Sequence, residues 1–287
     1  MSMKITEGKY RPFPPVKLTD RTWPDAVITK APEWCSVDLR DGNQAIHTPM
    51  TKEKKKIFFE KLVKIGFKTI EVGFPSASQT DFDFVRMIIE EDLIPEGTAI
   101  QVLVQAREHL IKRTFEALKG APKVIIHLYN STSPAQRRDV FGKSKEDIIK
   151  IALSGVDMVH AEMKNFEGEV GLEYSPESFS LTEPDFALDI SNQVIDHWNP
   201  SVNGKVILNL PATVERRPPT HYADMIELFK RRLKSEQAII SLHAHNDMGC
   251  AVASTQLAIQ AGADRVEGTL FGQGERSGNV DLITLVL

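Results

Sequence analysis

The chain has 287 residues, 41% hydrophobic and 26% charged, with 35 Lys and Arg against 39 Asp and Glu for a net charge of -4. This is the composition of a globular protein with a large core, and it excludes a cationic nucleic-acid binder and a charged disordered tail. No apolar run approaches the roughly 18 residues of a membrane span, and the N-terminal stretch has no apolar segment of signal type.

In chain order, residues 1–33 stand apart. Pro12, Pro14, Pro15, Pro24 and Pro32 fix φ and remove donors, so this segment reads as an extended arm. Its apolar side chains Tyr10, Phe13, Val16 and Trp23 need a surface, either on this chain or on a partner subunit. From Trp34 the pattern becomes regular. Short runs rich in Val and Ile recur at Trp34–Leu39, Thr69–Phe74, Ala99–Val104, Val124–Tyr129, Val170–Tyr174, Val206–Leu210, Ile239–Ala244 and Arg265–Leu270, giving eight candidate strands. Amphipathic stretches separate them at Lys52–Ile65, Asp81–Glu91, Arg107–Leu118, Ser144–Met163, Glu183–His197, Tyr222–Lys234 and Cys250–Ala261, with Ser144 as an N-cap. Lys52–Lys56 reads as a solvated helix face, and Cys35 and Cys250 read as buried thiols in a reducing cytoplasm.

Strand and helix alternate eight times, which is the requirement for an α/β chain closing as a (β/α)8 TIM barrel over residues 34–287. A doubly wound open sheet is the alternative. It calls for a glycine fingerprint after an early strand, whereas the one glycine cluster here, Gly272–Gly278, follows the last strand and has Ser277 where a third glycine is needed.

In a barrel, chemistry gathers at the carboxyl ends of the strands. Those ends carry Asp38–Gln44, Glu173–Glu177, Asn209–Thr213, His243–Asp247 and Gly274–Asn279. His243 and His245 alternate on a strand and so face one way. Closure brings strand one beside strand eight, which places Asp41 and Asn279 next to the histidines. Two imidazoles, a carboxylate and an amide oxygen suit a divalent ion such as Mg, Mn or Zn. Arg40 offers a fixed charge to a developing oxyanion, or pairs with Asp38 or a strand-five carboxylate. Glu177 would orient Arg40 or relay protons if strand five persists past Pro176, and Thr213, after a turn at Pro211, would bond either a carboxylate or local backbone. His127 alternates with Tyr129 and belongs either to the core or to the pocket.

Together, Asp38-Leu39-Arg40-Asp41-Gly42-Asn43-Gln44, His243-Ala244-His245-Asn246-Asp247 and Gly274-Glu275-Arg276-Ser277-Gly278-Asn279 resemble the metal-dependent Claisen-condensing barrels. That group holds the 2-isopropylmalate, homocitrate and citramalate synthases and related lyases. Tyr10–Pro15, Trp34–Asp38 and Asn209–Glu215 are similar to the longer-armed subgroup of 2-isopropylmalate synthases, and the match covers nearly the whole chain. The resemblance implies condensation of acetyl-CoA with 2-oxoisovalerate and water, giving 2-isopropylmalate and CoA at the first committed step of leucine synthesis. It implies a cytoplasmic homodimer, with no nucleic-acid or membrane partner. It implies Asp41, His243, His245 and Asn279 around the ion, Arg40 and Glu177 as catalytic groups, and Thr213 on the substrate carboxylate. Leu103, His127, Tyr129, Ser175 and Pro211 would line the isopropyl pocket.

Two departures qualify the match. Asn43 stands where the wider group usually has Glu. The family also continues beyond the barrel with subdomains, one of which gives a catalytic His to the neighbouring subunit, and with a leucine-sensing domain. This chain ends at Leu287, inside the expected eighth helix, so the base that deprotonates acetyl-CoA is expected beyond it. Competing readings are a sibling synthase using pyruvate or 2-oxoglutarate, a metal-dependent barrel hydrolase, and a non-catalytic binding barrel. The second acid would call for an extra pocket cation; the hydrolase would carry its His-x-His on strand one.

Overall fold

The computed structural model describes residues 13–287; residues 1–12 of the expected arm lie outside the described residues. Eight parallel strands close in sequence order: β1 (Glu33–Ser36), β2 (Thr69–Gly73), β3 (Ala99–Gln105), β4 (Lys123–Ser131), β5 (Glu169–Glu177), β6 (Val206–Ala212), β7 (Ala238–Ala244) and β8 (Arg265–Gly268). Closure runs through the β1–β8 register Glu33↔Arg265 to Ser36↔Gly268, which rules out the open sheet. The helices are α1 (Lys52–Ile65), α2 (Gln79–Glu90), α3 (Glu108–Leu118), α4 (Lys145–Met163), α5 (Pro184–Trp198), a single turn α6 (Pro200–Asn203), α7 (Pro219–Arg232), α8 (Ala251–Gln260) and α9 (Leu282–Val286).

Strand alternation sorts the side chains. Even-numbered strand residues such as Ile70, Val72, Ile100, Val102, Ile126, Leu172, Leu208, Ile240 and Val266 are buried in the main core, where an aliphatic layer meets the helices. Ala99, Ile125 and Ile207, with Ile239 against them, form a separate small apolar cluster. Between that cluster and the carboxyl ends the odd positions are polar and still buried: Glu71, Gln101, His127, Glu173, Asn209, Ser241, Arg265 and Glu267. Barrel interiors are ordinarily packed with branched aliphatics; this one is packed with charge at mid-height.

Helix boundaries follow local capping. Thr51, Ser78 and Ser144 each accept a backbone N–H in the first turn, and Ser144 and Asp147 complete a reciprocal capping box. Four expectations need correction. Strand one stops at Ser36, because the Val37 carbonyl accepts from the N–H groups of Arg40, Asp41 and Gly42 and winds the chain into a wide turn. Strand eight stops at Gly268, and Leu270 begins a short turn. Lys55 is fully buried, pairing with Asp81 and lying 5.4 Å from the Phe84 ring centre, so the lysine run is not wholly a solvated face. Cys35 is buried, but Cys250 is only half-buried.

Residues 13–33 run over α7 and α8 with Val16, Leu18 and Trp23 buried. Arg21 grips Asp224 at 2.6 Å, Trp23 Nε1 donates to the same carboxylate at 2.9 Å, and Thr22 donates its N–H and hydroxyl to Glu227. Partial burial opposes ionisation of both acids, but Arg21 and Trp23 at Asp224, and Thr22 with Arg231 at Glu227, outweigh it and hold both below the usual carboxylate range. A depressed folded-state pKa means this latch stabilises the fold fully above the unfolded-state values of about 4 and loses that contribution as pH falls through the folded values. Acid titration followed by the Trp23 signal (wild type minus Trp23→Phe) is expected to stay flat from neutral pH down to about 4 and change only below it. A transition near neutrality would contradict the latch.

Candidate active site

The wide turn Asp38–Gly42 aims its side chains. Asp38 accepts from Ser36 Oγ at 2.7 Å and from the Leu270 N–H at 3.0 Å, tying the turn to the loop after β8, and burial pushes its carboxyl up to about 6 against those bonds. Asp41 then projects into the barrel mouth, 1% exposed. Its Oδ2 lies 2.8 Å from His243 Nε2 and 3.5 Å from His245 Nε2, and its Oδ1 accepts from Gln44 at 3.0 Å. One ligand atom from each of Asp41, His243 and His245 falls within 4.8 Å of the others.

Asn279 joins from the far side of the chain through a bridge to His245. Its Nδ2 donates to the Gln273 carbonyl at 3.0 Å, while its Oδ1 is buried with no partner. The glycines of this loop follow from that packing. A Cβ at Gly274 would sit 2.5 Å from Asn279 Nδ2, and one at Gly278, where φ is +105°, would sit 2.1 Å from the Gly272 carbonyl. His245 Nδ1 is also buried without a partner. An orphaned amide oxygen beside three converging ligand atoms fits a divalent cation, and the N/O donor set suits Mn or Zn, with Mg as the harder alternative.

Electrostatics separate the two imidazoles. Burial opposes charge on His243, but hydrogen bonds to Asp41 and Glu267 prevail and raise it to about 9. His245 lacks such bonds; burial lowers it to about 4 despite the nearby Asp41 carboxylate. Asp41 is held far below the usual range, its desolvation overcome first by Arg40 and then by His243.

Arg40 does not pair with Asp38 or with a strand-five acid. Its partner is Glu71 of β2, which the Arg40 Nε contacts directly, with Asp41 Oδ1 at 3.5 Å from Nη1. The other Glu71 oxygen lies 2.6 Å from His127 Nδ1 and accepts from Gln101 at 2.8 Å; His127 Nε2 in turn lies 2.8 Å from Ser175 Oγ. Burial opposes the Glu71 charge, but Arg40 and His127 pull the carboxyl down to about 2. Strand five does persist through Pro176, where β5 is registered against β4. Glu177 nevertheless does not orient Arg40; it accepts from Ser131 at the rim. Pro211 lies inside β6 rather than in a turn, and Thr213 just beyond the strand accepts from the Ser178 N–H at 3.0 Å.

A cavity of about 310 Å³ opens here, lined by Arg40, Asp41, Leu103, His127, Tyr129, Ser175, Glu177, Pro211, Thr213, His243 and His245. Of the expected site residues only Asn279 stands behind the wall. Phe74, packed edge-on to Tyr129, also lines it and was not anticipated. Glu71, Gln101, Arg265 and Glu267 were missed as well. The available signal was a polar residue at alternate positions of T-I-E-V-G, A-I-Q-V-L and R-V-E-G, in strands whose other face is aliphatic. A larger cleft of about 950 Å³ lies at the amino-terminal end, but its walls are mainly apolar, with Phe67, Ile125, Ile207 and Ile239, and among the described residues no ligand cluster faces it. The smaller cavity holds the converging ligand trio and is the candidate site.

The HMGL-like family model matches residues 31–287. A 2-isopropylmalate synthase of Parafrankia sp. is 58% identical over 281 residues, covering 96% of this chain and 50% of the relative. One from Rhodospirillum rubrum is 57% identical over 280 residues, covering 96% and 50%. The chain thus spans about half the length of the curated relatives it matches. An HMG-CoA lyase of Acinetobacter baumannii, solved with coenzyme A and 3-methylmalate, superposes with a TM-score of 0.67 at 19% identity, over 89% of this chain and 82% of that one; it shows the shared fold.

Removing one partner of a buried ion pair leaves the other charge stranded. Glu71→Gln is therefore expected to destabilise the barrel by about 3–5 kcal/mol in urea unfolding. Breaking the exposed Lys56–Glu91 pair is expected to leave the urea midpoint close to that of the wild type. Equal effects would contradict the network.

Proposed function

The chain belongs to the HMGL-like family, and from that premise we propose that it is the catalytic barrel of a 2-isopropylmalate synthase, joining acetyl-CoA to 2-oxoisovalerate with water to yield 2-isopropylmalate and CoA. The observation that carries the reading is the convergence of Asp41, His243 and His245 against Arg40 on one wall of the 310 Å³ cavity. Identity above 55% with synthases of that name over nearly all of this chain supports it. A cytoplasmic homodimer and an arm at residues 1–33 belong to the same proposal; the unpaired Cys35 and Cys250 fit a reducing compartment.

Asp41, His243 and His245, with Asn279 Oδ1 beside them, would hold the divalent ion, which when bound would polarise the keto group under attack and draw the oxo-acid into place. Arg40 cannot lose its charge, and Glu71 and Asp41 fix its position. It therefore presents a preorganised cation to the oxygen on which negative charge develops. The Thr213 hydroxyl oxygen already accepts from Ser178, so its one hydrogen is left to donate to the substrate carboxylate. Leu103, Phe74, Tyr129 and Pro211 offer an apolar wall to the isopropyl group. His127 and Ser175 satisfy each other, so an apolar substituent against them strands no polar atom. Glu177 at the rim has one oxygen on Ser131, and in this reading its other oxygen would take or return a proton beside the thioester.

The cavity walls bear on the choice of acid. Arg40 is the one Lys or Arg on them among the described residues, and it stands beside Asp41, so the distal carboxylate of 2-oxoglutarate would meet no cation. Pyruvate would leave the apolar wall unfilled, a difference on the order of 1–3 kcal/mol per methylene. Calorimetric titration is expected to show 2-oxoisovalerate binding in the presence of Mn or Zn, tighter than pyruvate or 2-oxoglutarate, and lost with EDTA or in Asp41→Asn. Binding that persists in EDTA would overturn the ligand assignment; preference for either rival acid would overturn the substrate.

A further inference from the structure

Beneath the ligand trio lies a second cluster that the mechanism above does not use. Arg265, 1% exposed, donates from Nη1 to Glu173 Oε2 at 2.9 Å, to Ser241 Oγ at 2.9 Å and to Glu267 Oε1, and from Nη2 to Gln101 Oε1 at 2.7 Å. Glu267 is wholly buried, and its other oxygen lies 3.1 Å from His243 Nδ1. Each Glu267 oxygen is thus committed, one to a guanidinium and one to the ring of a candidate ligand.

The ring geometry gives this contact a direction. His243 turns Nε2 toward Asp41 and Nδ1 toward Glu267. For Nε2 to offer its lone pair to an ion, Nδ1 must carry the hydrogen, and a buried N–H needs an acceptor. Glu267 Oε2 is the acceptor that this structure provides. His245 has no such partner among the described residues, since its Nδ1 is orphaned. Only one of the two imidazoles is therefore held from behind.

We propose that Glu267, clamped by Arg265, is the positioning residue of the metal centre: it accepts the Nδ1 hydrogen of His243 and so fixes the tautomer that presents Nε2 beside Asp41. This rests on the functional reading above, and it adds an explanation for Arg265. His127, Glu173 and Glu267 form a second group whose ligand atoms lie within 4.8 Å of one another. The Arg265 guanidinium is bonded to both of those carboxylates, so the nest that would suit a second cation is filled by the protein's own. One ion per chain follows.

The test uses zinc affinity, measured by competition with a chromophoric chelator. In Glu267→Gln, Arg265 takes the remaining oxygen and the amide NH2 turns to His243, which then must accept at Nδ1 and carry its hydrogen on Nε2. Zinc affinity is expected to fall about 10- to 100-fold. Ser241→Ala removes bonds to the same Arg265 and Glu267 without touching His243, and is expected to stay within about threefold of wild type, below the outer-shell range. A folded Glu267→Gln protein with wild-type affinity overturns the proposal, as does an equal loss in Ser241→Ala. Should Glu267→Gln fail to fold, 15N spectra of histidine in the zinc-loaded wild type decide: Nδ1–H with a metal-bound Nε2 at His243 is expected, and the reverse tautomer overturns it. Wild type that binds no zinc would bring down the functional reading itself, and this inference with it. Intact wild-type binding with an unchanged variant would bring down this inference alone.

Discussion

Asp41 lies 2.8 Å from His243 Nε2 and beside Arg40 with almost no water around it, and the barrel interior is organised to make that contact tolerable. Ions removed from water lose several kcal/mol each unless every neighbour is fixed and paired. Here the neighbours are fixed in relay. Arg40 is held by Glu71, Glu71 by His127 and Gln101, His243 by Glu267, and Glu267 by Arg265, which also bonds Glu173 and Gln101. Removing a charged member leaves its neighbours short of a counter-charge, which couples these pairs to one another.

The backbone features around the mouth serve the same contact. Winding three N–H groups onto the Val37 carbonyl turns Arg40 and Asp41 inward where a continued strand would have alternated them to opposite faces. The loop from Gly272 to Asn279 is packed too closely for side chains at 274 or 278, and that closeness brings Asn279 against His245. At the other end of the strands, Ala99, Ile125, Ile207 and Ile239 cover most of the charged layer, and Arg265 borders the amino-terminal cleft while only 1% exposed. Ions at mid-height are thus kept from solvent on that side, which strengthens each interaction among them.

Much of this was legible in the sequence, and the failures have physical causes. Eight strands and their crossover helices follow from hydrophobic period, and residues at strand ends, such as His243, His245 and Asp41, announce themselves because no turn requires them. Glu71, Gln101, Arg265 and Glu267 were overlooked because they lie within strands, where a polar residue is usually taken for a solvent-facing position; in a closed barrel that face is the interior. Lys55 was misread for the converse reason: a helix full of lysines looks solvated, yet one of them reaches Asp81 and the Val72 carbonyl inside. The end of strand one was placed too late because hydrophobic period does not register the point at which a carbonyl begins to collect helical donors.

We propose that the charged interior serves to present one divalent ion at the barrel mouth. Anomalous diffraction from crystals soaked in zinc tests it most directly. A single peak per chain is expected at about 2.0–2.2 Å from an Asp41 oxygen and from one ring nitrogen each of His243 and His245. A peak among His127, Glu173 and Glu267, or none at the mouth, would contradict it.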